Sequence, residues 1–208
     1  MNKKLYVSPT YITGMNQVEF QTITDAIQSI PQENKETITV VIKKGRYEEK
    51  LIIDRPYLIL VGEGDGESII TYGDYAAKLM ENGENYGTFR SYTVLVNTHD
   101  FTARNLVFEN SAGPVGQALA LYADGDRLFF DHCWFHGFQD TIFTGPLPPK
   151  EKLIGGFKGP KELSERVNGR QYYYDCYISG NTDFIFGSAT AYFEQCEIIS
   201  RRPGYVTA

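Results

Sequence analysis

The sequence predicts an all-β fold, a right-handed parallel β-helix in which short strands stack as successive coils. Tyr and Phe, which favour strands, number 15 and 13. Several predicted strands are continuous apolar runs, typical of parallel sheets buried on both faces, and no helical pattern separates them. Segments 129–143 and 172–186 repeat each other at an offset of 43 residues, as stacked units do. A β-sandwich is the alternative, but it accounts less well for this repeat.

A short helix is predicted near the start of the chain. Apolar residues between Ile23 and Ile30 follow the i, i+3, i+4, i+7 spacing of a helix with one apolar face. Thr22 is the expected N-cap and Pro31 ends the helix. We expect residues 22–30 to cap the N-terminal end of the β-helix, since a solenoid needs its ends covered.

Short strands separated by turns follow the helix. We assign residues 1–208 to a single domain, which is long enough to bury a substantial core. Residues 145–167 are rich in Pro, Gly and Lys, and this composition predicts a loop excursion on the surface beside the repeat. The predicted strands are 38–43, 57–61, 92–96, 106–108, 118–122 and 128–130.

The repeat extends into neighbouring coils, with different loop lengths between them. The 43-residue step is therefore one coil plus the excursion. The aligned segments are 104–108 with 132–136 at an offset of 28, 117–121 with 139–143 at an offset of 22, and 172–176 with 192–196 at an offset of 20.

The alignment places two carboxylates beside a row of amides. Gln117, Gln139 and Thr182 fall in one row, and Asp140 and Asp183 fall in the next. This set suits acyl transfer, in which an ionised Asp attacks an ester, a protonated Asp donates to the leaving alcohol, and amides hold the oxyanion. Two adjacent carboxylates resist ionising together, so one pair supplies both an acid and a nucleophile. The alternative is a ladder of Asp residues that caps turns.

Four motifs, in a fixed order along the chain, resemble those of the pectin methylesterases. The resemblance covers essentially the whole chain. It implies a β-helix esterase that demethylates methyl-esterified galacturonan, as polymer or oligosaccharide, to pectate and methanol without a cofactor or metal. The motifs are Gly45-Arg46-Tyr47-Glu48-Glu49 (GxYxE), Gln117-Ala118-Leu119-Ala120-Leu121 (QAxAL), Gln139-Asp140-Thr141 (QDT) and Asp183-Phe184-Ile185-Phe186-Gly187 (DFIFG).

The resemblance also implies a role for each site residue. Asp183 is similar to the family's nucleophile, which forms an acyl-enzyme with the C6 carboxyl of galacturonate. Asp140 is similar to the general acid that releases methanol and then acts as the base for water. Gln117 and Gln139 are similar to the stabilisers of the oxyanion. Three aromatics are similar to those that line the substrate groove, with the β-helix core as the alternative for each: Phe143, Phe186 and Phe89.

One part of the family pattern lies beyond this sequence. The resemblance places a further catalytic Arg, in an LGRxW-type motif, downstream of residues 202–208. Arg201 and Arg202 precede that place and do not substitute for it. We therefore expect a C-terminally incomplete esterase domain, self-associating and nearly inactive alone, whereas the complete domain is expected to be a monomer.

Composition argues against several other classes. The net charge of −6 disfavours nucleic-acid binding, and no apolar run approaches the ~18 residues of a membrane span. No secretory signal is visible, so we expect a cytoplasmic protein, or a secreted one if an upstream signal was removed. Three His are too few for much metal chemistry, and Cys176 and Cys196 are expected to be buried thiols rather than a disulfide.

Two other functions stay open from the sequence. One is a β-helix depolymerase of polygalacturonan, since Asn181-Thr182-Asp183 matches the NTD of polygalacturonases, although their DD, GHG and RIK partners are missing. The other is an inactive fragment that binds pectin through its aromatic residues.

Overall fold

The chain folds into three parallel sheets in the computed structural model, which describes residues 3–10, 19–151 and 154–208. A single turn of 3-10 helix, Thr88–Arg90, lies between the strands. In chain order the other elements are β1 (Lys3–Val7), β2 (Glu19–Phe20), α1 (Ile23–Gln28), β3 (Ile38–Ile42), β4 (Gly45–Glu48), β5 (Leu51–Ile53), β6 (Leu58–Gly62), β7 (Ser68–Tyr72), β8 (Val94–Val96), β9 (His99–Arg104), β10 (Val107–Asn110), β11 (Leu121–Ala123), β12 (Asp126–Asp131), β13 (Trp134–His136), β14 (Ile142–Thr144), β15 (Arg170–Tyr174), β16 (Tyr177–Gly180), β17 (Ile185–Gly187), β18 (Thr190–Glu194) and β19 (Glu197–Ser200).

Successive strands visit the three sheets in turn, which is the topology of a parallel β-helix. The first sheet has the order β18-β15-β12-β9-β6-β3-β1-β2, the second β19-β16-β13-β10-β7-β4, and the third β17-β14-β11-β8-β5. Each complete coil thus contributes one strand to each sheet. The predicted right-handed parallel β-helix is confirmed.

The predicted N-terminal helix forms, slightly shorter than residues 22–30. α1 covers Ile23–Gln28, and the Thr22 side chain accepts a hydrogen bond of 3.0 Å from the Asp25 amide, as expected of an N-cap. The Glu49 carboxylate accepts 2.8 and 2.9 Å bonds from the first two amides of the helix. The last residue of the GxYxE motif is therefore structural, because it ties the helix to the first coils.

Strand register confirms two of the predicted offsets and corrects a third. The 43-residue offset is confirmed by the pairing of Phe143 with Phe186, and the 20-residue offset by β15 and β18. The offset of 28 is wrong, because Phe108 pairs with Phe135, 27 positions away. Both rings are fully buried and stack at 5.2 Å, and a slip of one residue would turn one of them outward.

The offset of 22 holds at one position only. Gln117 and Gln139 form an isolated parallel bridge at this offset. In the strands that follow, Leu121 pairs with Ile142, so the offset there is 21. The turn that leads from Gln139 into β14 is one residue shorter than the equivalent turn in the coil below, and a match by residue type alone missed this difference.

An aromatic ladder fills the interior behind the first sheet. Phe130, Tyr173 and Phe193 occupy one register position in β12, β15 and β18. Their ring centroids lie 4.8 and 4.5 Å apart, with interplanar angles of 9° at both contacts. Ring stacking between coils therefore reinforces the backbone ladder at the level of the candidate site.

We expect Phe130→Ala to lower the free energy of unfolding by about 3–5 kcal/mol, since it leaves a large cavity between buried rings. Phe129→Ala is the matched control, because Phe129 lies on the opposite face and stacks on Tyr172 at 5.2 Å. Its expected cost is about 1 kcal/mol. Urea unfolding of both variants measures the difference, and equal losses would show that the interior ladder is not a main source of stability.

Cysteines form a second ladder at the corner after the first sheet. Cys133, Cys176 and Cys196 are all free thiols; Cys176 is buried, as predicted, whereas Cys196 is half-buried. The Cys176 thiol donates to the Phe130 carbonyl at 3.5 Å, and burial raises its pKa. Within the described ranges, no helix is long and apolar enough to cross a membrane, and no group of three or more metal-binding side chains occurs.

Candidate active site

Two aspartates occupy the same turn of consecutive coils, between the second and third sheets. The Asp140 amide donates to the Thr182 carbonyl at 3.1 Å, and the Asp183 amide donates to the Tyr205 carbonyl at 2.7 Å. Both residues have positive φ, 64° for Asp140 and 47° for Asp183, a left-handed conformation that Asp tolerates better than most residues. The repeated backbone shape gives the two side chains equivalent positions one rung apart.

The predicted row of polar residues beside the pair is present. Gln117 bridges Gln139, and Gln139 bridges Thr182, each in parallel register. Both glutamines are half-buried residues. The structure therefore brings together the four residues predicted to do the chemistry, on three consecutive coils.

Burial and charge act together on one member of the pair. Asp140 is 7% exposed, whereas Asp183 is half-buried. Burial, followed by the negative charge of Asp183, raises the pKa of Asp140 to about 7. The Asp140 carboxyl group therefore keeps its proton to a much higher pH than an isolated Asp does.

The three predicted aromatics lie together on the outer face of the third sheet. The ring centroid of Phe143 is 5.0 Å from that of Phe89 and 4.9 Å from that of Phe186. Phe143 and Phe89 are only 1% and 8% exposed, and Phe186 is half-buried. Phe186 is thus the one of the three with surface to offer a sugar, while the other two form a packed floor.

The predicted excursion, residues 145–167, packs over these aromatic rings. Its polar composition did not predict this packing. Leu147 is 1% exposed, and the ring of Phe157 packs on Phe89 at 5.8 Å. Residues 152 and 153 lie outside the described residues. The sequence does not single out Leu147 and Phe157, because the same segment contains other large apolar residues that are exposed, such as Ile154 and Leu163.

Several motif residues are structural. Phe184 of the DFIFG motif is fully buried in the interior. Gly187, at the end of the motif, has φ of 133°, and a Cβ there would lie 2.0 Å from the Thr144 carbonyl oxygen. Only glycine fits this close approach of two strands. Within this motif, Asp183 and Phe186 are the residues whose side chains stay half-buried rather than fully buried.

The fold and this turn define a parallel β-helix protein with a paired-aspartate site. The model of the pectinesterase family matches residues 11–146 and 165–207, and the chain belongs to that family.

Relatives and solved structures agree with this assignment. The chain is 33% identical over 193 residues to the probable pectinesterase/pectinesterase inhibitor 23 of Arabidopsis thaliana, covering 89% of this chain and 28% of the relative. It superposes on the pectin methylesterase PemA from Erwinia chrysanthemi with a TM-score of 0.79 and 31% identity, covering 100% of this chain and 61% of that one. A pectin methylesterase in complex with hexasaccharide VII matches with the same score, identity and coverage. The chain thus spans less than two thirds of the length of each of these proteins.

Proposed function

We propose that this chain carries the catalytic carboxylates of a carbohydrate esterase that removes methyl groups from methyl-esterified galacturonan, giving pectate and methanol. The observation that carries the proposal is the pair of stacked aspartates, Asp140 and Asp183, in which burial and charge raise the pKa of Asp140 to about 7. The relatives are named for pectin, and one such enzyme was solved with a hexasaccharide.

The first half of the reaction uses both aspartates. The Asp183 carboxylate attacks the ester carbonyl carbon at C6, and the carbonyl oxygen becomes an oxyanion that accepts hydrogen bonds from the Gln117 and Gln139 amides. As the tetrahedral intermediate collapses, the bond to the methoxy oxygen breaks, and Asp140 donates its proton to that oxygen. Methanol leaves, an acyl-enzyme anhydride remains on Asp183, and Asp140 is ionised.

The second half reverses the role of Asp140. Its carboxylate takes a proton from water, which attacks the acyl carbon. The bond to Asp183 then breaks and releases the free galacturonate. Acylation has removed the negative charge of Asp183, so one of the two causes that raise the pKa of Asp140 is absent, and its ionised form is favoured in this step.

The spacing of the pair separates this proposal from an inverting depolymerase. An inverting glycosidase needs carboxyl groups ~6.5 to 9.5 Å apart, with a water between them. Asp140 and Asp183 stand on adjacent rungs, and adjacent strands are ~4.8 Å apart. This spacing favours a nucleophile and an acid that work on one carbonyl group.

The test is methanol release from highly methylated pectin by this chain and by a version extended through the next coils, with the polymer length followed in parallel. We expect methanol without chain shortening from the extended version. Shortening of the polymer would favour a depolymerase, and binding of pectin by a folded extended version that releases no methanol would favour the pectin-binding fragment.

We expect Gln117→Ala and Gln139→Ala each to lower kcat by about 10²-fold, because each removes one donor to the oxyanion. KM should change much less, since the oxyanion exists only after attack. Steady-state kinetics on methylated pectin measure both constants. A rise in KM with unchanged kcat would instead assign the two residues to substrate binding.

A further inference from the structure

An insertion stands beside the site. The family model matches the chain on both sides of residues 147–164 but does not match this stretch, which follows β14 and leads back to β15. We call these residues the insertion. Its described residues make several contacts with the coils: Leu147 is buried, Phe157 packs on Phe89, and the Lys161 ammonium donates to Asn97 Oδ1 at 2.6 Å. These described residues therefore have a defined place on the surface next to the aspartates.

The insertion forms one wall of a cleft of about 540 Å³. Residues 76–88 form the other wall, and the Ala76 amide donates to the Gln117 carbonyl at 2.9 Å. Gln117 itself lines the cleft, so the cleft opens beside the row of glutamines that flanks the aspartates. The described lining residues are Ala76, Ala77, Glu84, Asn85, Tyr86, Gly87, Thr88, Gln117, Ile154, Gly155, Gly156 and Lys158.

An ion pair joins the two walls. The Lys158 ammonium lies 3.0 Å from Glu84 Oε2, with side chains 41% and 51% exposed. The hydrogen bond from Lys158 is the main cause that lowers the pKa of Glu84. Exposed pairs of this kind contribute little to stability. A second carboxylate can therefore replace Glu84 on Lys158 at small cost.

We infer that Lys158 binds the free carboxylate of a galacturonate unit that neighbours the methyl ester under attack, an inference that rests on the proposed function. Lys158 is the cation among the described lining residues, on a chain whose net charge of −6 otherwise repels a polyanion. A methyl-esterified unit carries no charge at this position, so Lys158 distinguishes an acid neighbour from an ester neighbour. Glu84 competes with that carboxylate and restrains its affinity.

Two substitutions with opposite expected effects test this assignment. Titration calorimetry with an unmethylated galacturonate hexamer should show binding weakened about two- to fivefold by Lys158→Gln, and tightened by a similar factor by Glu84→Gln. Both substitutions break the same ion pair. If the pair only braces the cleft, the two variants will change binding in the same direction, and this result would overturn the inference.

Two controls test whether the change in hexamer binding depends on a direct contact between Lys158 and a carboxylate rather than on the net charge of the chain. Lys35→Gln makes the same change of charge in the turn after α1 and should leave hexamer binding unchanged. Binding of a fully methylated hexamer should be the same for Lys158→Gln and the unmodified chain; an equal loss for both hexamers would also overturn the inference.

The binding assay also keeps the two proposals apart, since it needs no turnover. Absence of methanol release by the extended version would contradict the esterase, while opposite effects of the two substitutions on hexamer binding would still support the carboxylate site. Normal methanol release with no effect of Lys158→Gln on hexamer binding would contradict the site alone.

Discussion

In the version extended through the next coils, Asp183→Asn is expected to abolish methanol release from methylated pectin, with a loss of about 10⁴-fold or more in kcat. An amide of the same shape does not attack an ester carbonyl, and no acyl-enzyme forms. The substitution also removes the charge that helps to keep Asp140 protonated, so the pKa of Asp140 should fall in this variant.

Asp175→Asn is the matched control for this experiment. Asp175 lies in the same coil and shares the left-handed backbone of Asp183, with φ of 49° against 47°. It stands at the other corner, between the first and second sheets, where it pairs with His132 at 2.9 Å. Its activity should stay within about twofold, in the range of surface substitutions that cost little. Near-normal turnover by Asp183→Asn would show that the nucleophile is another group.

The fold was predictable because the coils of a solenoid repeat, and this repeat is visible in the sequence. Asp140 and Asp183 align at the offset that their strands adopt, since each coil must place the same residue type at the same turn. The offset of 28 was wrong because the register depends on which rings point inward, and these are Phe108 and Phe135. Residues of similar type stand next to them, so a comparison of residue types alone does not show which ones face the interior.

The candidate site was predictable in its members but not in its surroundings. The two glutamines and two aspartates follow from the repeat. The 7% exposure of Asp140 does not, because it depends on side chains brought in from other coils. Nor does the burial of Phe143, which depends on how an irregular excursion packs back over the third sheet. Contacts made by such segments are set by tertiary packing and leave no periodic pattern.

Asp140→Asn is expected to lower kcat by about 10³-fold, since general acid–base catalysis contributes about 10²–10⁴. The unmodified enzyme should lose activity in the acylation step as pH rises through about 7, because Asp140 then gives up the proton that methanol needs. The residual activity of Asp140→Asn should lack this decline. Single-turnover methanol release across the pH range measures both; an identical alkaline decline in the variant would assign it to another group.

The same proton makes the stability of the fold depend on pH. The pKa of Asp140 is about 7 in the folded chain against an ordinary value of 3.8, so between these values the folded state binds a proton that the unfolded state has released. The free energy of unfolding should therefore fall as pH rises from about 4 to 7, by about 1.4 kcal/mol for each unit and about 4 kcal/mol in all.

Asn at position 140 does not ionise, so its contribution to the free energy of unfolding does not fall as the pH rises. Relative to the unmodified chain, Asp140→Asn should therefore gain about 4 kcal/mol of stability between about pH 4 and pH 8 while it loses its catalytic acid. Urea unfolding of both proteins at the two pH values measures this change.

The matched variant Asp175→Asn should follow the unmodified chain, because Asp175 is half exposed at its corner. A gain in stability on removal of the carboxyl group is expected where the fold holds that group in surroundings that disfavour its ionised form. If the stability difference between Asp140→Asn and the unmodified chain were the same at both pH values, Asp140 would have an ordinary pKa in the folded state, and its assignment as the general acid would lose this support.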